Sequence, residues 1–148
     1  MPNWCEGTFR ARGSKEDLIN FIRNGVEAEF IPMDCDDEFE TEKCGYIWIK
    51  DTRRHFLNAE DRQYISLYEK ENGIYQFAFP FVAAWAIDTD AIKMIAEKYH
   101  IDVRVNGFEM GMQFEQLVEV SKTGWIRCDS VIQYDDYEWQ CAMPLLGG

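Results

Sequence analysis

The chain has 148 residues, with 27 acidic against 15 basic side chains and a formal net charge of −12. This charge repels phosphate backbones and anionic lipids, which disfavours direct binding to nucleic acid or to a membrane surface. No stretch approaches the ~18 consecutive apolar residues of a membrane-spanning helix, so the composition predicts a water-soluble protein.

The length suits one domain, because a chain of ~150 residues can bury ~68–70% of the surface that its unfolded form exposes. We expect a single domain over residues 1–148, without an internal linker. The five cysteines are odd in number, show no CxxC spacing and follow no apolar signal segment. These features predict a cytoplasmic protein with reduced thiols.

The first predicted unit is a strand followed by a helix. Residues 5–12 have strand-like composition, and Ser14 then stands as a helix N-cap with Asp17 three residues on. The apolar face of this helix would consist of Leu18, Phe21 and Ile22. Asn24 and Gly25 would end the helix, since glycine tolerates the left-handed conformation common at helix ends.

Residues 27–44 form an acidic segment. From Glu27 to Glu42 there are eight carboxylates and no Lys or Arg, and Pro32 interrupts the run. Regular structure is disfavoured by such a composition. We therefore predict a loop or an insertion here.

The remainder of the chain alternates between predicted strands and one further helix. The predicted strands cover 45–50, 55–58, 64–69, 74–84, 102–105, 113–120, 125–133 and 138–143. Asn72 and Gly73 predict a hairpin turn, and residues 134–137 predict another turn. Asp88 or Thr89 would cap a second helix. Its apolar stripe would consist of Ala91, Ile92, Ile95, Ala96 and Tyr99.

Two helices separated by strands in the order β-α-β-β-α-β, with extra hairpins, predict an α+β fold. The expected architecture is a ferredoxin-like split β-α-β sandwich, with an antiparallel sheet that carries both helices on one face. The name describes topology only, because the cysteine spacing of an iron–sulfur site is missing. We expect no cofactor.

Two groups of residues resemble a known family. The first group is Pro2-Asn3-Trp4-Cys5 before a strand, followed by a turn at Gly13 and a helix at Ser14. The second group is Ala84-Trp85, followed by a helix over 88–99 and then Glu109-x-Gly111-x-x-Phe114. Together they resemble the YubB-like ferredoxin-like family of phage and conjugative-plasmid proteins. The chain departs from the family pattern at Gly7, where the family usually has Asn, and at 86–88, where it has Ser-Pro-Pro.

The resemblance implies a mobile-element origin and therefore a location in the cytosol of a bacterial host. It covers most of the chain outside the acidic segment. It implies no substrate, cofactor or catalytic residue, so no functional positions can be transferred from the family.

A pocket at one end of the sheet is one candidate site. Its residues would be Trp4, Trp85, Glu109 and Phe114. Trp4 and Cys5 precede a strand and Trp85 follows one, so they could meet there, either around a ligand or as packing at the edge of the core. Glu109 lies in an apolar stretch, where it would act as a buried general base or accept hydrogen bonds from backbone N–H groups in a turn.

Metal sites have little support. Cys35, Cys44 and His55 do not have the spacing of a zinc knuckle, and residues 34–38 lack the glycine and glutamate that a calcium-binding EF-hand needs. We expect no metal and no catalytic residues, because the common nucleotide and hydrolase motifs are also missing.

Acidic side chains form the second candidate site. They are Asp34, Asp36, Asp37, Glu38, Glu40, Glu42, Asp135 and Asp136. A negative surface of this kind would steer onto the basic surface of a partner protein. The alternative is a solvated loop that only keeps the protein soluble.

The first functional hypothesis is a non-enzymatic, acidic protein-binding module that antagonises a bacterial host protein, such as a defence protein. One alternative is a small-molecule-binding protein or enzyme with a pocket near Trp85 and Glu109. Another is a self-assembling structural component, and an open sheet edge would support a homodimer.

Overall fold

The computed structural model describes residues 2–148, which form eleven strands and three helices. The strands are β1 (Trp4–Ser14), β2 (Ile31–Pro32), β3 (Glu38–Glu40), β4 (Tyr46–Trp48), β5 (His55–Asn58), β6 (Tyr64–Ser66), β7 (Tyr68–Glu71), β8 (Ile74–Ala84), β9 (Asp102–Glu109), β10 (Phe114–Val120) and β11 (Ile126–Gln133). The helices are α1 (Lys15–Asn24), α2 (Thr89–Tyr99) and α3 (Tyr137–Gln140).

The main sheet has the strand order β11-β10-β9-β1-β8-β5-β4, with β7 also paired to β8. All of its pairings are antiparallel. Strand β1 lies between β8 and β9, which are joined through α2. A second sheet contains β2, β3 and β6. The predicted α+β class with an antiparallel sheet is confirmed, and the sheet is larger than expected.

The side chains of β1 point alternately to the two faces of the main sheet. Cys5, Phe9 and Ala11 are fully buried, whereas Arg10 and Arg12 lie on the opposite face. The buried face packs against both α1 and α2 in one hydrophobic core. The ring of Phe9 stacks on that of Phe21 in α1, with centroids 5.4 Å apart. The second face carries no long helix in the part of the chain that the structure describes.

The predicted helix starts are confirmed. The Ser14 hydroxyl accepts a hydrogen bond from the Asp17 N–H at 3.1 Å, and the Asp88 carboxylate caps α2. The predicted left-handed end at Gly25 is wrong, because its φ is −90°. Glycine is required there by packing, since a Cβ would collide with the ring and carbonyl oxygen of Phe21.

The prediction of a loop over 27–44 is wrong in part. Strand β2 pairs with β3, and β3 pairs with β6. Phe39 of β3 is 1% exposed and belongs to the main core, and the ring of Phe30 packs edge-on against Phe79. Glu38, Phe39 and Glu40 alternate between charged and apolar, which is the pattern of a half-buried strand. The many acidic residues around this short pattern made it hard to recognise. We call residues 31–42 the acidic hairpin.

The end of the chain also differs from expectation. A strand was predicted over 138–143, but Asp136 caps the short helix α3 instead. Residues 134–148 fold back over the second face of the main sheet near the start of β1. There Phe108, Tyr137 and Cys141 form a small separate core, and the backbone of Gly148 pairs with that of Trp4 at 2.6 and 3.0 Å.

Gly7 lies in β1 with no room for a side chain. A Cβ at this position would collide with the carbonyl oxygen of Asn106 in β9. Any side chain at this position would therefore require β9 to shift away from β1.

Truncation of Phe39 tests whether the acidic hairpin is part of the folded core. Phe39→Ala should lower the free energy of unfolding by about 3 kcal/mol or more, because it removes a fully buried ring. Met33→Ala, in the same hairpin but 45% exposed, should change it by less than about 0.5 kcal/mol. Urea denaturation measures both, and equal small effects would contradict the packed hairpin.

Candidate functional site

The structure places Trp4 and Trp85 close together at one end of the main sheet. Trp4 pairs with Ala84 in the β1–β8 register, and the Trp85 N–H donates to the Asn3 carbonyl at 2.8 Å. The two indoles nevertheless have different surroundings. Trp4 packs edge-on against Tyr46 at 5.2 Å, whereas the side chain of Trp85 is 56% exposed.

Trp85 adopts a left-handed backbone conformation with φ of 72°. A bulky residue in this region is strained by about 1–3 kcal/mol, and such strain is common at functional sites. Beside it is a cavity, lined by Arg53, Arg54, His55, Ala84, Trp85, Ala86 and Asp88. The sequence did not indicate that the two arginines and the histidine would join Trp85.

His55 forms the buried wall of this cavity. Its side chain is 4% exposed, and its Nε2 accepts a hydrogen bond from the Asp88 N–H at 2.9 Å. Among residues 2–148, no group forms a hydrogen bond with its Nδ1. Burial lowers the pKa of His55 below its ordinary value of 6.5. The neutral ring therefore acts as an acceptor that holds the start of α2 against the sheet.

Glu109 does not line this cavity. It is fully buried, and its two carboxylate oxygens accept hydrogen bonds from the N–H groups of Gly111 and Met112, both at 2.7 Å. Charge-assisted bonds of this kind stabilise a carboxylate inside a protein. This arrangement matches the structural interpretation of Glu109 as the residue that closes a turn between β9 and β10.

Cys5 lies near Glu109 at the same end of the sheet. Its burial, with a smaller contribution from the negative charge of Glu109, raises the pKa of the thiol to about 12. A protonated thiol is a poor nucleophile. Phe114, the fourth predicted pocket residue, packs as a partly buried side chain against the main core.

The acidic candidates fall into two separate groups. Six of them belong to the acidic hairpin, which lies near the end of β1, since Asp36 forms an ion pair with Lys15 at 2.8 Å. Asp135 and Asp136 follow β11 at the outer edge of the main sheet, near the start of β1. The eight carboxylates therefore do not form one surface.

The acidic hairpin is exposed, and most of its charge is not neutralised. Asp34, Asp36, Glu40 and Glu42 are exposed, while Asp37 and Glu38 are half-buried. Within residues 2–148, Asp36 is the only one of these six carboxylates that forms an ion pair. The tip is held by backbone hydrogen bonds, including Leu67 N–H to the Asp37 carbonyl at 2.7 Å.

A group of basic residues lies on the second face of the main sheet. This group was not predicted from the sequence. Arg10, Arg12, Arg104 and Arg127 line a single cleft there. The alternate spacing of Arg10 and Arg12 in a predicted strand was the available signal, because it places both on one face. Their meeting with two later arginines depends on strand pairing.

Among residues 2–148, no group of three or more potential metal ligands lies close enough to hold an ion. None of the helices in this range has both the length and the apolar composition needed to cross a bilayer.

Comparisons with protein-family models, with curated proteins and with solved structures found no match for this chain.

Replacement of His55 tests its buried, neutral state. Because folding lowers the His55 pKa, the unfolded chain binds the proton more readily than the folded one. The contribution of His55 to stability should be complete above about pH 6.5 and decrease as the pH falls below that value. In His55→Gln, the free energy of unfolding should fall less steeply between about pH 7 and pH 5, as measured by urea denaturation.

The matched control is His100→Asn at the exposed C-cap of α2. Asparagine tolerates the left-handed conformation of this position, so this variant should fold, and its stability over the same pH range is the reference for loss of a histidine outside the cavity. A His55→Gln curve parallel to that of the wild type would contradict the assignment.

Proposed function

We propose that this chain is a non-enzymatic interaction protein that binds a partner protein with a basic surface through the acidic hairpin. The observation that supports this most directly is that the acidic hairpin carries exposed, mostly unpaired carboxylates and is rigidly attached to the main core. Complementary charge increases association rates and helps to select the partner.

The rigidity comes from apolar anchors beneath the charges. Phe39 and Ile65 are each 1% exposed and join the acidic hairpin and β6 to the main core. A surface that is already ordered loses less conformational entropy on binding than a flexible loop. The acidic hairpin is therefore better suited to docking than the loop that the sequence predicted.

For the fold, we propose a ferredoxin-like core with additional strands. Strands β8 and β9 both run antiparallel to β1 and are connected through α2, and β1 and β5 both run antiparallel to β8. Two interleaved split β-α-β units of this kind support the proposal. Membership of the YubB-like family and a mobile-element origin are supported by the sequence resemblance alone.

From that origin we infer a partner in the bacterial cytosol, and a host defence protein is the specific candidate. The proposed pocket near Trp85 and Glu109 has less support. Glu109 has both oxygens occupied by backbone N–H groups and does not face the cavity beside Trp85.

Self-association is a second candidate function, supported by the exposed edge strand β11. Seven of its eight residues pair with β10, and within residues 2–148 no strand pairs with its other side. Val131 is 57% exposed and Ile132 is 52% exposed. Long edges with apolar side chains readily pair with another copy of the chain, and a two-fold axis would bring two β11 strands together.

Neutralisation of the acidic hairpin tests the proposed partner surface. The variant Asp34→Asn, Asp37→Asn, Glu40→Gln should retain about tenfold less of a basic protein from bacterial lysate at low salt, because three contacts of ~0.5 kcal/mol each are lost. Wild-type binding should also weaken as salt is raised. Affinity capture followed by mass spectrometry measures both effects.

The matched control is Asp135→Asn, Asp136→Asn, Glu138→Gln, which removes the same charge near α3. It should capture the same protein as the wild type, because the structure places these residues away from the acidic hairpin. Equal loss in both variants would point to an effect of net charge. Equal capture by all three proteins would count against the acidic hairpin.

A lysine on the edge strand tests self-association. Light scattering should give the wild type a mass of at least twice 17.4 kDa, and Val131→Lys should give the monomer mass, since an edge lysine opposes strand pairing. Met94→Lys, on the exposed surface of α2, should leave the mass of the assembly unchanged. A monomeric wild type would eliminate this candidate.

A further inference from the structure

The second face of the main sheet contains a cleft of about 100 Å³ near the end of β1. Its lining includes four arginines, namely Arg10 and Arg12 of β1, Arg104 of β9 and Arg127 of β11. Its carboxylates are Asp102 and Glu119. The cleft is thus locally positive in a chain whose formal net charge is −12. This concentration of positive charge requires an explanation.

Two of the arginines are held in place by uncharged side chains, and within residues 2–148 neither forms an ion pair. Arg10 donates from Nη1 to the side-chain oxygen of Asn106 at 2.9 Å. Arg12 donates from Nη2 and Nε to the side-chain oxygen of Gln76 at 2.9 and 3.2 Å. Amide oxygens are uncharged acceptors, so both guanidinium groups keep their full charge and have further N–H donors available.

Strand pairing also places like charges together. Arg10 and Arg104 are direct partners in the β1–β9 register, and like charges in such positions are destabilising. Glu119 pairs with Arg104 at 2.7 Å and offsets part of this repulsion. Asp102 is the register partner of Arg12, so the four arginines of the cleft exceed its two carboxylates by two positive charges, which a bound anion would offset.

The donors match the chemistry of a phosphate group. Guanidinium groups present rigid pairs of N–H donors that bind phosphate oxygens in bidentate fashion. Exposed aromatic rings lie on both sides of the cleft. The Arg127 guanidinium lies 5.9 Å from the ring of Trp125, which is 69% exposed, and the hydroxyl of Tyr68 accepts a hydrogen bond from Gln76. A ring at this position can stack on a nucleobase.

We propose that this arginine cleft binds the phosphate group of a small ligand, with a mononucleotide as the best match. A small ligand is favoured over a nucleic-acid strand because the net charge of −12 repels an extended polyanion. The cleft lies on the face opposite the core into which the acidic hairpin packs. It is therefore independent of the proposed partner surface, and either assignment can fail alone.

Isothermal titration calorimetry at low salt tests the proposal with three probes, namely inorganic phosphate, adenosine monophosphate and a short oligothymidylate. The wild type should bind phosphate and bind adenosine monophosphate at least as tightly. Arg12→Gln and Arg127→Gln should each weaken binding by about tenfold or more, because each removes a charge-assisted hydrogen-bonding group. Both side chains are exposed, and circular dichroism should confirm that the variants fold.

Arg23→Gln is the matched control, because Arg23 is an exposed arginine in the last turn of α1 and does not line the cleft. It should bind as the wild type does. Equal weakening in Arg23→Gln, or no binding of any probe at millimolar concentration, would overturn the proposal. Binding of the oligothymidylate alone would overturn the small-ligand assignment and identify a nucleic-acid strand as the source of the phosphate.

Discussion

The structure depends on the pairing of β1 along both of its edges. Every residue of β1 is paired with β8, and residues 6–12 are also paired with β9. This double pairing aligns the apolar rings of β1 and β8 on one face, where α1 and α2 cover them. Burial of such rings is the main favourable contribution to folding. It also directs the alternate, polar residues of β1 toward the second face.

Glycine at position 7 makes this close pairing of β1 and β9 possible. The β9 backbone approaches so closely that a side chain would meet the carbonyl oxygen of Asn106. Gly107, the partner of Gly7 in β9, faces the same restriction, since a Cβ there would collide with the Cys5 sulfur. The β1 and β9 backbones thus leave no room for a Cβ atom at this pair, and a single layer of backbone separates the two faces of the sheet.

This layer separates two opposite concentrations of charge. The acidic hairpin extends the core on the helical side, anchored by Phe39, and exposes most of its carboxylates to water. The arginine cleft lies on the second face, beyond the region that residues 134–148 cover. Because exposed charges are screened beyond ~8–10 Å in physiological salt, each surface can attract its own ligand.

The sequence by itself determined the local elements whose signals lie within a few residues. These include the caps at Ser14 and Asp88, the hairpin turn at Asn72 and Gly73, and the long strand over 74–84. Capping, turn chemistry and side-chain period act over one or two turns of chain, so they can be recognised without the fold.

Only the tertiary structure decided which distant side chains meet. It separated Glu109 from the cavity at Trp85, placed Asp135 away from the acidic hairpin, and joined Arg10 with Arg127 in one cleft. These outcomes follow from strand order and register, which fix contacts between residues far apart in the chain. A shift of one residue in register would turn each arginine to the opposite face. The amino-acid composition does not determine which register the strands adopt.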